Sequence, residues 1–384
     1  MSRVHDSEET LKRPTRRRDF LKSAATVTIG AVSVFGFPSV RKASASSSVH
    51  WKIQTVWDTD TSGFTKFQEL CSMTTELSGG ALVLEGVPSG GVVKAEEAFD
   101  ACKAGVIDAM HGFDASWTKK MPVCTFLSAY PLGPDRPGQW ETWYERMGGS
   151  EIANEAYSAH KMAHVGPIQC SGRVIFSKVP IRSFQDFNGK KIHFEKEMSR
   201  DLLKASGATP VDLAPSKVYE ALQTGTIDAT GSVSASAGYQ MGLGEFAKYV
   251  ILGPPGTPSI HDAAEIMSLC PNARKWETLS EPLRKVLGVA VKKHSWDQYA
   301  TFQKADMEAF RRLREDQHVE VIRLSPQDMD LFRKQTPEIW VKHAKRSPLA
   351  LKAFKSQLEF MKSPVVGLVS ESNLTNAKGE PLTF

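Results

Sequence analysis

Ala98-Phe-Asp-Ala-Cys-Lys-Ala-Gly-Val-Ile-Asp-Ala109 returns 120 positions later as Val218-Tyr-Glu-Ala-Leu-Gln-Thr-Gly-Thr-Ile-Asp-Ala229. Five positions are identical, and the Phe/Tyr and Asp/Glu exchanges keep their chemistry. Each copy reads as the end of a helix, a glycine suited to the left-handed C′ position, and a short strand opening with Ile-Asp-Ala. A helix-to-strand turn can recur by chance, but here glycine, Ile-Asp-Ala and aromatic all keep their spacing. A chain that builds this unit twice, far apart, is expected to form two similar α/β lobes. Ligands of open α/β sheets bind beyond the carboxyl ends of the strands, so the residues after each Asp-Ala should face a shared cleft.

Outward from the first copy, His50 to Trp57 alternates like a strand, Gly63 to Leu77 like an amphipathic helix, and Ala81 to Val87 like the next strand. Lys94 to Ala104 carries the first repeat helix, and Trp140 to Met147 and Gly149 to His160 read as further helices. Around the second copy, Gly172 to Ser177 and Lys190 to Phe194 read as strands joined through a turn at Ser183 to Gly189. Ser199 to Ser206 is a helix, Thr209 to Leu213 a strand, and Ser216 to Thr224 the second repeat helix. The run Gly253-Pro-Pro-Gly-Thr-Pro258 then punctuates a return to the first lobe. Glu281 to Glu315 keeps apolar residues broadly at helical spacing, a rod of about 50 Å that can brace both lobes. Val319 to Leu324 is an added strand, and Ser325-Pro and Ser347-Pro open two closing helices with an N-cap and Pro at N1.

The N-terminus reads as an address. Arg16, Arg17 and Arg18 precede Asp19-Phe-Leu-Lys22, the twin-arginine export pattern, and a short apolar stretch leads to Ala43-Ser-Ala45, a small-x-small cleavage site. Residues 1–45 hold nine of the 48 Lys and Arg and four of the 43 Asp and Glu, leaving 39 of each and no net charge in the mature chain. The formal +5 therefore makes no case for nucleic acid or anionic lipid as a partner. Cys71, Cys102, Cys124, Cys170 and Cys270 form no Cys-x-x-Cys pair and are expected mostly as small core residues, with their connectivity open.

From about Gly166 to Val250 the chain resembles the periplasmic solute receptors of TRAP transporters, the DctP-type family. The matching stretches are Gly172-Arg-Val-Ile-Phe-Ser-Lys-Val-Pro-Ile181, Gly189-Lys-Lys-Ile192, Gly207-Ala-Thr-Pro-Val-Asp-Leu213, Lys217 through Asp228, and Phe246-Ala-Lys-Tyr-Val250. The run from Gly207 to Asp228 is specific. The first lobe and the helical tail are similar too, above all to the α-keto-acid-binding subgroup. The resemblance implies an α/β, two-lobed periplasmic-binding-protein-like fold with a long helix spanning both lobes and a helical C-terminal tail. Its parts would be a signal peptide at 1–45, lobe I at 46–168, lobe II at 169–253, a return to lobe I with the spanning helix at 254–324, and C-terminal helices at 325–384. It implies a periplasmic receptor with no catalysis and no cofactor, a small organic acid as ligand, TRAP permease subunits as membrane partner, and a homodimer through the C-terminal helices. Crossovers near Ile168 and Gly253 would act as hinges.

Carried over residue by residue, the resemblance places Arg173 at the family arginine, whose planar fork suits a carboxylate. Replacing it with Ala is expected to weaken carboxylate binding at least tenfold while leaving the melting temperature nearly intact. Where the family usually has a second arginine stands His193, which can donate a hydrogen bond but carries charge only below a pH near about 6.5. Arg200 is either a substitute for that charge or a solvated helix residue. In the keto-acid subgroup Glu-Trp follows the second Asp-Ala-Thr and helps hold a metal ion and the substrate. Here Gly231 and Ser232 follow instead, so no metal site carries over and the pocket is expected to be roomier there. On the other lip Phe113 and Asp114 follow the first copy, and an Asp there would favour a hydroxyl or amine on the ligand. Trp57 is expected to line the cleft, and Trp117 to line it or sit in the core.

Two other readings compete. An exported cofactor- or metal-dependent enzyme fits the twin-arginine signal, and His160 and His164 have the spacing of two ligands on one helix face. They lack a Glu after the first His and a third ligand nearby, which makes them surface residues. No Gly-x-Ser-x-Gly elbow, Cys-His cluster or Gly-x-Gly-x-x-Gly is found. The other reading is a receptor for a neutral or amine-bearing solute.

Overall fold

The computed structural model of the 384-residue chain describes residues 48–255, 259–262, 264–376 and 379–383. The twin-arginine run, the apolar stretch and the cleavage site lie outside the described residues. The strands in chain order are β1 (Val49–Thr55), β2 (Leu82–Val87), β3 (Ala109–Phe113), β4 (Gly166–Gln169), β5 (Val174–Ser177), β6 (Lys191–His193), β7 (Thr209–Val211), β8 (Ala229–Val233), β9 (Tyr249–Leu252), β10 (Ile266–Pro271) and β11 (Glu320–Arg323). They form two sheets, β2-β1-β3-β10-β4 and β11-β9-β5-β8-β6-β7. Read from β7, the second sheet repeats the first. Parallel strands come first, then one antiparallel strand borrowed from elsewhere in the chain, β10 in one sheet and β5 in the other. β11 extends the second sheet beside β9.

The repeat explains this symmetry. Helices Ala98–Ala104 and Val218–Thr224 end at Gly105 and Gly225, whose φ of 81° and 78° lie in the left-handed region that glycine adopts without a side-chain penalty. The aspartate that follows stitches each new strand to its neighbour. Asp108 Oδ2 accepts the Lys52 N–H at 2.7 Å, and Asp228 Oδ2 accepts the Lys191 N–H at 2.8 Å. The backbone N–H of each aspartate returns the bond, to the Lys52 carbonyl at 2.9 Å and the Lys191 carbonyl at 2.7 Å. Ile107, Ala109, Ile227 and Ala229 are buried beneath this junction. Both lobes thus begin their third strand by the same two-bond clasp.

Helix Glu281–Glu315 spans both lobes, as its apolar spacing predicts. Leu287, Ala290 and Val291 join the apolar core beneath the first sheet, and Ala309 and Leu313 that of the second. Helices Pro326–Ala344 and Pro348–Lys362 also belong to the body of the molecule. Trp340 Nε1 donates to the Pro131 carbonyl at 3.0 Å on the first lobe, while Lys342 pairs with Asp201 at 2.7 Å on the second. Their apolar residues Phe354, Leu358 and Met361 are buried inside the chain. All five cysteines are buried and unpaired. Among the described residues, no helix is long and apolar enough to cross a membrane.

Candidate functional site

The carboxyl ends of β6 and β8 and the amino ends of the antiparallel β5 and β10 point to one edge, and five charged side chains converge there. Arg173 precedes β5, Glu195 and Lys196 follow β6, and Asp262 and Glu265 precede β10. Arg173 Nη1 donates to Glu195 Oε2 at 2.7 Å and to the Ser232 carbonyl at 2.8 Å, and its Nε lies 3.2 Å from Glu265. Lys196 Nζ lies 2.7 Å from Glu265 and 3.3 Å from Asp262, and donates to the Ala129 carbonyl of the first lobe at 2.6 Å. Glu265 is only 2% exposed and Arg173 12%, so these are desolvated charges.

Two cations face three carboxylates, and their titration follows from that balance. Burial works against the charged form of Glu265, yet Lys196 and Arg173 outweigh it and hold its pKa below the usual carboxylate value. For Asp262 burial wins over Lys196 and the pKa is raised, with Glu265 adding repulsion. Burial disfavours the Arg173 guanidinium, but Glu195 and Glu265 raise its pKa further above neutrality. Asp262 also holds a φ of 38°, unusual without a glycine, which the ion pair with Lys196 helps to maintain.

The remaining expected site residues divide between partly buried and fully buried positions. Trp57 is partly buried, its ring edge-on to Phe113 and to Phe302 of the spanning helix, both at 5.7 Å. It lies so close to Gly63 that a Cβ there would sit 2.3 Å from the indole. His193 is fully buried. Its Nδ1 meets the Thr230 and Ser232 hydroxyls at 3.0 and 3.1 Å, and burial holds its pKa below the ordinary histidine value, so it does not replace the missing arginine charge. Arg200 supports the loop instead, donating to the carbonyls of Phe194 at 3.2 Å and Glu195 at 2.7 Å. The extra room expected at Gly231 is filled. The Phe194 ring lies over it, 2.1 Å from where a Cβ would stand. Strand register explains this, because His193 pairs with Thr230 and the next residues on each strand share the opposite face.

Asp114 sits inside the first lobe, not at the lip. It is fully buried, accepts from Ser268 Oγ at 2.6 Å and from the Tyr157 hydroxyl, and burial pushes its pKa up to about 7. Trp117 is core, packed on Phe99 at 5.2 Å. His160 and His164 do not share a helix face, because that helix ends at Ser158 and Lys161 is left-handed. His164 is buried rather than on the surface, paired with Ser268 at 3.0 Å and stacked on Tyr144 and Tyr157.

Sequence reading missed Glu195, Lys196, Asp262 and Glu265. Glu195 and Lys196 had a signal, since two charges directly follow a strand at the sheet edge where ligands bind. Among the described residues, no group of three or more His, Cys, Asp and Glu is placed to hold a metal ion. The nearest carboxylates, Asp262 and Glu265, are taken by Lys196 and Arg173.

The family model described as bacterial extracellular solute-binding protein, family 7, matches residues 53–347. A protein named YiiZ from Salmonella typhimurium, itself uncharacterised, is 26% identical over 161 residues, which is 40% of this chain and 47% of that protein. The chain thus spans about half the length of that curated relative. A TRAP periplasmic solute-binding protein from Rhodobacter sphaeroides in an apo open form superposes with a TM-score of 0.70 at 24% identity, covering 83% of this chain and 99% of that one. One from Colwellia psychrerythraea, with bound calcium and pyruvate, superposes with a TM-score of 0.73 at 22% identity, covering 82% and 94%. At these identities the likeness is one of fold.

Proposed function

We propose a role that proceeds from one premise: this chain belongs to the bacterial extracellular solute-binding proteins of family 7. It is the extracytoplasmic receptor of a TRAP transporter, exported through the twin-arginine signal at residues 16–22 and working in the periplasm. It takes a small organic acid between its lobes and delivers it to the membrane permease subunits without chemical change, and it pairs as a homodimer. The observation that carries the ligand class is Arg173, a guanidinium where the ends of the two sheets meet, paired with Glu265 of one and the Ser232 carbonyl of the other. A carboxylate meeting that fork gains hydrogen bonds to a charged donor, each contributing about 1.5–3 kcal/mol. Gly231, Ser232 and His193 shape the second-lobe wall, and Asp114 acts through the packing behind Phe113. Ligand contacts on both lobes favour the closed arrangement that the permease reads.

The test is a thermal-shift screen of the mature protein against small acids, diols, polyols and amino compounds. A ligand present at 100 times its Kd stabilises by about 2.7 kcal/mol, so acids alone should raise the melting temperature. Because Arg173 also pairs with nearly inaccessible Glu265, Arg173→Ala is now expected to lower the melting temperature as well as binding. Arg173→Lys is the cleaner variant: it keeps the charge beside Glu265 but loses the fork, and should weaken binding of an acid about tenfold. Stabilisation by polyols or amines alone, with no co-purified acid in the denatured sample by mass spectrometry, refutes the organic-acid reading.

A further inference from the structure

We infer that Glu195 is an internal stand-in for the ligand, a tethered carboxylate that occupies Arg173 and must be displaced before an acid can bind; this rests on the organic-acid reading above. The three partners of Arg173 differ in how firmly they are held. The Ser232 carbonyl is backbone within β8. Glu265 is 2% exposed and shared with Lys196, so it cannot leave without stranding a charge. Glu195 is 35% exposed, it stands in the short connection between β6 and helix Glu197–Ala205, and Arg173 is the partner of its carboxylate. Its backbone is fixed by Arg200, so the side chain alone can turn away.

Geometry makes Glu195 a competitor for any carboxylate. Its Oε2 lies 2.7 Å from Nη1, an ordinary distance for a charge-assisted guanidinium–carboxylate bond. A group tethered this closely acts at an effective concentration of about millimolar or above, so an acid in solution must outcompete it. The apparent affinity falls by the fraction of molecules in which Arg173 is free. Where Glu195 holds Arg173 nine-tenths of the time, that penalty is about tenfold. Displacement turns the Glu195 carboxylate into the groove mouth, where it repels a second ligand carboxylate and favours monocarboxylates over dicarboxylates.

The experiment titrates wild type, Glu195→Gln and Arg173→Lys with acetate, pyruvate, benzoate and succinate by calorimetry, and records each variant's melting curve. Glu195 is 35% exposed and Gln keeps its shape, so Glu195→Gln should fold as wild type does. Expected is about tenfold tighter binding of at least one monocarboxylate by Glu195→Gln, with the preference over succinate reduced. Unchanged or weaker binding of every probe by Glu195→Gln, including no binding by either protein, overturns the inference. If wild type binds a probe, Glu195→Gln matches it and Arg173→Lys loses it, the receptor reading stands and only the role of Glu195 falls. If Arg173→Lys matches wild type too, the organic-acid reading at this site fails with it.

Discussion

Lys196→Met removes an ammonium whose Nζ is shared by Glu265 at 2.7 Å, Asp262 at 3.3 Å and the Ala129 carbonyl at 2.6 Å. The methionine stem fills a similar volume, so the loss is electrostatic rather than a cavity. Breaking a buried ion pair from one side costs about 3–5 kcal/mol, because the stranded carboxylate keeps its desolvation penalty. Two features of the site hold the cost near the lower end. Arg173 remains 3.2 Å from Glu265, and Asp262, already raised by burial, can accept a proton. About 3 kcal/mol corresponds to a fall of about 6–12 °C in melting temperature, at about 2–4 °C per kcal/mol for chains of a few hundred residues. The proton gives the loss a pH signature. In the variant, folded Asp262 titrates above its unfolded value, so the folded state holds a proton that the unfolded state has released. Stability is then retained below the usual carboxylate range and lost as pH rises through the raised folded pKa. Melting curves of wild type and variant at pH 5 and pH 8 test this, with the larger gap expected at pH 8. A fall of under about 2 °C at both, or a gap equal at both, would refute the charge account of the cluster.

Two further perturbations read other parts of the structure. Asp114 has a folded pKa of about 7 against an ordinary value near about 4, so its contribution is present below about pH 4 and is lost as pH rises through about 7. Asp114→Asn keeps acceptor and donor for Tyr157 and Ser268 and removes the proton, so the variant should gain on wild type by up to about 1.4 kcal/mol per pH unit within that window. Urea unfolding of both proteins from pH 4.5 to 7.5 gives the difference, and a difference independent of pH counts against a buried titrating Asp114. Gly231→Ala places a methyl group where the Phe194 ring lies and should cost about 1–3 kcal/mol, partly recovered by adding Phe194→Leu. Equal stability of Gly231→Ala and wild type would show that the ring moves aside freely.

The lobes were legible because their signals are local. A left-handed glycine after each repeat helix and the apolar spacing of the 35-residue helix each declare themselves along the chain itself. The borrowed strand β10 did not, since six fully buried residues carry no alternation and its neighbours β3 and β4 lie about 100 to 160 positions upstream. The C-terminal helices are tied by resemblance to a dimer, and many of their apolar residues are buried within the chain. A hydrophobic stripe tells that something covers it, not what.

The site obeys the same division between local and distant. Arg173 was legible as a cation at a strand's start, but whether it is available to a ligand depends on Glu265, 92 positions away, and on Lys196, which neutralises Glu265 from a third segment. Asp114 has the sequence neighbourhood of a lip residue, and only the Tyr157 hydroxyl and Ser268, brought in from 43 and 154 positions away, make it an interior one. The Phe194–Gly231 contact was within reach of sequence. Once the strands through Ile192 and Thr230 are set parallel and in register, a ring beside a missing side chain follows. What no local window supplies is the charge balance of the groove, because it is a sum over segments that meet only in the fold. Matching a family arginine to Arg173 therefore locates a cation, while the carboxylates that hold it, Glu195 beside it and Glu265 behind it, emerge only from the fold.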